Sequence, residues 1–146
     1  MRASLPVCDD VAWVCLESID TGHECSLQVA DTAFFSRLKH PCRRFFTLSA
    51  KSPLTRGRHA HKQCWQTFYV VCGDVPVELE VNDGGRRECW KLMPDGRLLC
   101  VPPGLWVEVR FAGPASLQVF CSHDYLETDY IRNFSDFLQF RNADSQ

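Results

Sequence analysis

The stretch that decides the fold is VPVELEVNDGG, which occupies residues 75–85. Apolar side chains stand at every second position from Val75 to Val81, which is the period of a strand with one buried face. The Asn-Asp-Gly-Gly segment at residues 82–85 is typical of a hairpin turn, because these residue types tolerate positive φ angles. Residues 88–93 are therefore predicted to form the returning strand of an antiparallel pair.

Short strands of the same kind follow one another on both sides of this hairpin. Turn residues recur roughly every eight to twelve positions, and the segments between them predict further strands over residues 11–16, 25–29, 44–48, 67–72, 97–101, 105–111 and 116–121. This pattern indicates an all-β antiparallel sandwich or barrel. Between Tyr130 and Leu138 the apolar residues fall on one helical face instead, which predicts a short amphipathic helix packed against the barrel.

Composition excludes several classes of protein. Of the 146 residues, 45% are hydrophobic and 23% are charged, which is typical of one packed domain and not of a disordered chain. Eighteen acidic residues against sixteen Lys and Arg leave a formal net charge of −2. This balance argues against a surface for nucleic acid or for an anionic membrane. No apolar stretch reaches the length of a membrane span.

Nine cysteines are the unusual feature of the composition. No two of them are separated by two residues, so the C-x-x-C pairs of zinc sites and thioredoxin-like centres are absent from the sequence. Residues 1–10 contain no long apolar segment of the kind found in signal peptides. We therefore expect a reducing, cytoplasmic compartment in which the thiols remain free, most of them as small buried hydrophobic side chains.

Chemically active side chains are densest at residues 56–62, which read RGRHAHK. Residues i and i+2 of a strand point to the same face, so His59 and His61 should project together. Two imidazoles on one wall suit metal ligation or acid–base chemistry. Cys64 would face away from them if the alternation of the strand continued. A solvated basic loop is the alternative interpretation, against which the strand context and the following Gln66 argue.

Four sequence elements together resemble the WxcM-like cupins, a group of nucleotide-sugar 3,4-ketoisomerases. They are R-G-x-H-A-H-K at residues 56–62, Gln66, P-P-G-x-W at residues 102–106 and D-Y-I-R at residues 129–132. The resemblance implies one cupin domain over residues 1–146, an antiparallel β-barrel or jelly roll with a short C-terminal helix. It also implies a homodimer in which the N-terminal strands of residues 1–43 are exchanged.

The family acts on a dTDP-linked 4-keto-6-deoxyhexose and moves its carbonyl group between C4 and C3. By this resemblance His59 and His61 share the proton transfers through an enediolate, and no cofactor is expected. The resemblance and the charges of the motif assign substrate binding to Arg44, Arg56, Lys62, Gln66 and Trp106. The three cations would hold the diphosphate, Gln66 would orient an imidazole or bind the sugar, and Trp106 would line the pocket or pack in the core. Tyr130 is expected to pack the helix.

Two departures from the family pattern leave alternatives open. Metal-binding cupins carry Glu at the position of Gln66 and His after P-x-G, where this chain has Val107, so no metal ligation is expected there. The family's R-x-Y-Y becomes Arg44-Phe45-Phe46-Thr47, without a tyrosine. A non-catalytic cupin that binds a nucleotide sugar is therefore one alternative, and a metal-dependent cupin enzyme is another. The sequence leaves the sugar epimer, the nucleotide base and the primary base unassigned.

Overall fold

A computed structural model describes residues 4–22 and 24–144. The strands are β1 (Ala12–Cys15), β2 (Glu17–Gly22), β3 (Cys25–Val29), β4 (Arg44–Ala50), β5 (Leu54–His61), β6 (Gln66–Gly73), β7 (Val77–Asn82), β8 (Arg87–Leu92), β9 (Arg97–Val101), β10 (Trp106–Phe111), β11 (Ala115–Cys121) and β12 (Tyr130–Ile131). The helices are α1 (Thr32–Arg37) and α2 (Phe134–Asp144), and 3₁₀ turns occupy Cys8–Asp10 and Glu127–Asp129. In the described ranges, neither helix is long and apolar enough to cross a bilayer.

Two five-stranded antiparallel sheets face each other across one hydrophobic core. The strand order is β1-β9-β6-β11-β4 in one sheet and β12-β5-β10-β7-β8 in the other. Strands β7 and β11 alternate buried and half-buried residues along their lengths. The buried side chains of both sheets, among them Phe68, Val70, Leu79, Val81, Val107, Val109, Leu117 and Val119, form the core cluster. The predicted all-β fold is confirmed, as a jelly-roll sandwich.

The predicted strands all occur, with ends within three residues of those expected. Strand β2 and helix α1 were not predicted. Every residue of β2 is exposed, so this strand has no buried face to leave an alternating pattern. Among the described strands it pairs with β3 alone. Helix α1 begins where Asp31 accepts hydrogen bonds from the backbone N–H groups of Ala33 and Phe34, a typical N-cap.

The C-terminal helix is confirmed, but the prediction that it includes Tyr130 is wrong. Tyr130 and Ile131 form β12, which pairs with β5 so that Tyr130 lies opposite His61. Helix α2 starts only at Phe134 and buries Phe137. Directly opposite residues of an antiparallel pair share one face of the sheet. The side chain of Tyr130 is therefore directed to the histidine face.

Candidate active site

A β-bulge in β5 shapes the site. Pairing with β10 shifts between Val107, opposite His59, and Glu108, opposite Gly57, so that Arg58 is the additional residue. Gly57 and Arg58 both have positive φ angles, 84° and 59°. A Cβ atom at Gly57 would lie 2.8 Å from the carbonyl oxygen of Val107, so only glycine fits there. Such strain is characteristic of functional sites.

The bulge brings five consecutive residues, 55–59, to one cavity of about 540 Å³. A regular strand would present only alternate residues. The other lining residues are Arg44, Phe46, Leu48, Gln66, Phe68, Val107, Val109, Val119, Tyr130 and Arg132. Of all fifteen lining residues, each within the described ranges, four are arginines (Arg44, Arg56, Arg58 and Arg132) and none carries a carboxylate. The cavity therefore has the size of a small-molecule site and a charge that favours an anionic ligand.

His59 and His61 lie together beside this cavity. Their ring centroids are 5.1 Å apart, and the Tyr130 ring lies 5.1 Å from His59 and 4.3 Å from His61. His59 lines the cavity, whereas His61 is only 4% exposed and stands next to Tyr130. The three rings form a compact group of possible proton donors and acceptors.

Asp129 orients His61. Its Oδ2 accepts a hydrogen bond from Nδ1 of His61 at 2.8 Å, and its two oxygens also accept from the backbone N–H groups of Gln63 and Cys64. These bonds fix the carboxylate and favour the tautomer that carries its proton on Nδ1. Nε2 of His61 is then a lone-pair acceptor, and it is buried without a hydrogen-bond partner among the described residues. A catalytic role is one of the few explanations for a buried polar atom of this kind.

His59 has a different electrostatic environment. Burial, and to a lesser extent the nearby His61, lowers the pKa of His59 from 6.5 to about 4. An imidazole with this pKa is neutral at physiological pH. His59 is therefore available as an uncharged hydrogen-bonding group rather than as a resident cation.

The pH dependence of stability should report this shift. Because the pKa of His59 is lower in the folded than in the unfolded chain, the unfolded chain binds more protons between pH 6.5 and 4. The stabilisation is present above pH 6.5 and is lost as the pH falls towards 4. We expect the Tm of the wild type to fall more steeply across this window than that of His59→Gln, as measured by circular dichroism. Parallel curves would contradict the shift.

Arg44 and Arg132 flank Tyr130. Burial by itself would lower the pKa of Arg44, but its hydrogen bond with Tyr130 and the nearby thiols outweigh burial and raise the pKa. Arg44 therefore remains a cation, and its Nε is buried with no partner in the described part of the chain. The guanidinium carbon of Arg132 lies 4.2 Å from the centroid of the Tyr130 ring, and Arg132 forms a bidentate pair with Glu127.

The residues predicted to bind substrate separate into two groups. Arg44, Arg56 and Gln66 line the cavity, but Lys62 and Trp106 do not. Lys62 is exposed beyond the end of β5. Trp106 packs on α2, with its ring centroid 5.2 Å from Phe134 and 5.6 Å from Phe137. The geometry thus gives Trp106 the core-packing role that the sequence left open.

Tyr130 and Asp129 are site residues that the sequence-based assignment missed. Both belong to the D-Y-I-R motif, which carried that information. The expectation that Cys64 faces away from the histidines is also wrong: its sulfur lies within 4.8 Å of the ligand atoms of His61 and Asp129. Strand β5 ends at His61, so its alternation does not extend to Cys64. The thiol of Cys121 donates to Cys64, which lowers the pKa of Cys64 and raises its own.

Comparisons with known proteins place this arrangement in a family. Residues 9–142 match the family FdtA: WxcM-like, C-terminal. The TDP-4-oxo-6-deoxy-alpha-D-glucose-3,4-oxoisomerase of Aneurinibacillus thermoaerophilus is 31% identical over 99 residues, which are 67% of this chain and 70% of that protein.

Two solved structures share the fold. A 3,4-ketoisomerase from Helicobacter canadensis is 26% identical with a TM-score of 0.80, covering 91% of this chain and 98% of that one. QdtA, a sugar 3,4-ketoisomerase from Thermoanaerobacterium thermosaccharolyticum in complex with TDP, is 22% identical with a TM-score of 0.82, covering 94% and 98%. The chain belongs to the FdtA: WxcM-like, C-terminal family.

Proposed function

We propose that this protein is an isomerase that moves the keto group between C4 and C3 of a dTDP-linked 4-keto-6-deoxyhexose. The observation that carries the proposal is the hydrogen bond from His61 to Asp129 beside a cavity lined by four arginines. Nε2 of this His61 is buried and has no hydrogen-bond partner among the described residues. An oriented imidazole supplies a base, and the arginines supply counter-charge for a diphosphate. The relatives named as 3,4-ketoisomerases support the same reaction.

The reaction needs one proton removed from C3 and one delivered to C4. The C4 carbonyl acidifies the C3 proton, which Nε2 of His61 accepts. The resulting enediolate carries negative charge on oxygen, and we assign hydrogen-bond donation to it to neutral His59 and the hydroxyl of Tyr130. Their rings lie 5.1 Å apart, next to His61. When His61 returns its proton to C4 and the O3 proton leaves as O4 gains one, the carbonyl stands at C3. No electron acceptor is required.

Nucleotide binding is assigned to the arginine-lined part of the cavity. Arg44 lies across the core from Arg56 and Arg58, because β4 and β5 belong to different sheets. A diphosphate between them would accept charge-assisted hydrogen bonds from both walls. The apolar lining beyond, which includes Phe46 and Phe68, suits the deoxysugar and the base. We assign no resident metal or cofactor to this cavity, in which Val107 offers no ligand atom.

We also propose a cytoplasmic homodimer built from one domain per chain. The β2–β3 hairpin exposes Ile19 and Leu27 by 41% and 49% and pairs with neither large sheet. Exposed apolar residues on such a ribbon suit burial against a second copy. A light-scattering mass of one chain, 16.7 kDa, would contradict the dimer.

The direct test is incubation with dTDP-4-keto-6-deoxyglucose in D₂O, followed by NMR. We expect the C3 proton to exchange for deuterium and a 3-keto product to accumulate. Unexchanged substrate at high enzyme concentration would contradict the proposal. One observation favours a non-catalytic binder: Phe46, which stands at a tyrosine position of the family pattern, lines the cavity. Calorimetric binding of dTDP without any exchange would identify that alternative.

A further inference from the structure

A second chemical cluster adjoins His61 and its hydrogen-bond partner Asp129. One ligand atom each from His61, Cys64 and Asp129 lie within 4.8 Å of one another. His61 and Cys64 are 4% and 3% exposed, and the Asp129 side chain is 11% exposed. Proton transfer at Nε2 uses His61 and its Asp129 partner but leaves the Cys64 sulfur without a role.

The three donors match the ligand preferences of zinc. Imidazole nitrogen, thiolate sulfur and carboxylate oxygen are its usual protein ligands. Nδ1 of His61 and Oδ2 of Asp129 are now 2.8 Å apart, and two light ligands of one tetrahedral zinc ion lie about 3.3 Å apart. To admit the ion, this pair would widen by about half an ångström, and the Cys64 sulfur, which lies within 4.8 Å of the other two donors, would settle at roughly 3.6 Å from them. The site uses neither Gln66 nor Val107, which stand at the ligand positions of metal-binding cupins.

We propose that His61, Cys64 and Asp129 form a binding site for Zn²⁺, and that the bound ion inhibits the enzyme. The ion takes the place of the proton between Nδ1 and Oδ2, the imidazole takes up one proton at Nε2 in exchange for the one it loses from Nδ1, and the Cys64 thiol proton leaves to solvent. A neutral imidazole that is ligated through Nδ1 carries its proton on Nε2. Nε2 then has no lone pair with which to accept the C3 proton. The inhibition rests on the proposed function, whereas the binding does not.

Binding is tested with Co²⁺ and Zn²⁺ on reduced, chelator-treated full-length protein. We expect one Co²⁺ per chain, with a thiolate-to-cobalt charge-transfer absorption that added Zn²⁺ abolishes. Cys64→Ser should lose this absorption and weaken Zn²⁺ binding by at least the roughly 10- to 100-fold that follows loss of an outer-shell partner. Cys72→Ser is the matched control, since Cys72 is exposed and lies on β6 away from the cluster.

The outcomes are distinct. An absent thiolate band in the wild type would overturn the inference, as would a band that survives Cys64→Ser or disappears in Cys72→Ser. Cys64→Ala replaces Cys64→Ser if the serine variant fails to fold. For inhibition, stoichiometric Zn²⁺ should lower the isomerase rate at least tenfold in the wild type and less than twofold in Cys64→Ser. Metal binding without any isomerase activity would contradict the proposed function alone, and full activity with Zn²⁺ bound would overturn the inhibition.

Discussion

We expect His61→Asn to lower kcat by roughly three orders of magnitude, within the range of 10²–10⁴ that positioned acid–base groups contribute. His61 is the histidine that Asp129 orients at 2.8 Å, and its Nε2 is a buried acceptor with no hydrogen-bond partner in the part of the chain that the structure describes. Asparagine retains a donor for Asp129 but has no group that titrates. The loss should therefore appear in kcat, measured by NMR with the dTDP-linked 4-keto sugar, while KM changes little.

The matched comparison is His59→Asn. Because His59 is neutral, with a pKa of about 4, its contribution is a hydrogen bond to the enediolate, and we expect a loss of about 10²- to 10³-fold, as for the removal of one oxyanion-hole donor. Both variants should bind dTDP like the wild type, since the arginines remain, and circular dichroism should report folded protein. Retention of more than a tenth of the wild-type kcat by His61→Asn would contradict the assignment of His61 as the base.

The fold could be predicted because its core strands are buried on one face. Val77 and Leu79 are 1% and 0% exposed, while the intervening Glu78 is half-buried. The alternation of apolar and polar residues in the sequence therefore follows the alternation of burial in the strand. The same logic explains the failure at β2, whose residues are all exposed. Its pairing with β3 rests on backbone hydrogen bonds, which leave no hydrophobic pattern.

Tyr130 shows how pairing with a strand distant in sequence overrides the helical period of the neighbouring apolar residues. The apolar residues between Tyr130 and Leu138 fit a helical period, yet Tyr130 and Ile131 pair with His61 and Ala60 of β5. That partner lies almost seventy positions earlier in the chain, as the 68-residue separation of His61 and Asp129 shows. No local window contains both strands. Pairing with β5 therefore places Tyr130 in the site, and the helix starts only at Phe134.

The sequence predicts only those parts of the site whose residues are close together in the chain. His59 and His61 are two residues apart on one strand, so their proximity follows from strand geometry. The bulge at Arg58 could not be predicted from strand geometry, because it is defined by the pairing register of β5 against β10. The positive φ angle of a non-glycine residue also leaves no signal in the amino-acid sequence. The position of Cys64 was unpredictable for a related reason: the chain leaves the strand after His61, and the return to β6 at Gln66 depends on tertiary contacts.

Asp129→Asn provides the second large effect, through the orientation of His61. The carboxylate accepts hydrogen bonds from three donors: Nδ1 of His61 and the backbone N–H groups of Gln63 and Cys64. An amide has only one oxygen, so its NH₂ group must face at least one of these donors. If it faces His61, it favours the tautomer with the proton on Nε2, which cannot accept the C3 proton. Replacing the carboxylate behind the histidine of a serine-protease triad costs about 10⁴ in kcat, and we expect a loss of about 10²- to 10⁴-fold here.

Two measurements separate this effect from simple unfolding. An unmatched buried donor costs about 1–3 kcal/mol, so Asp129→Asn should lower the Tm yet remain folded at 25 °C and bind dTDP. Asp124→Asn, an exposed acid in the same loop, should change neither the Tm nor kcat and serves as the control. An Asp129→Asn protein that retains wild-type kcat would show that Asp129 only stabilises the loop. The tautomer argument requires the opposite, a loss of kcat far larger than the loss of stability explains, because the carboxylate acts on the reaction only through the proton that it holds on Nδ1.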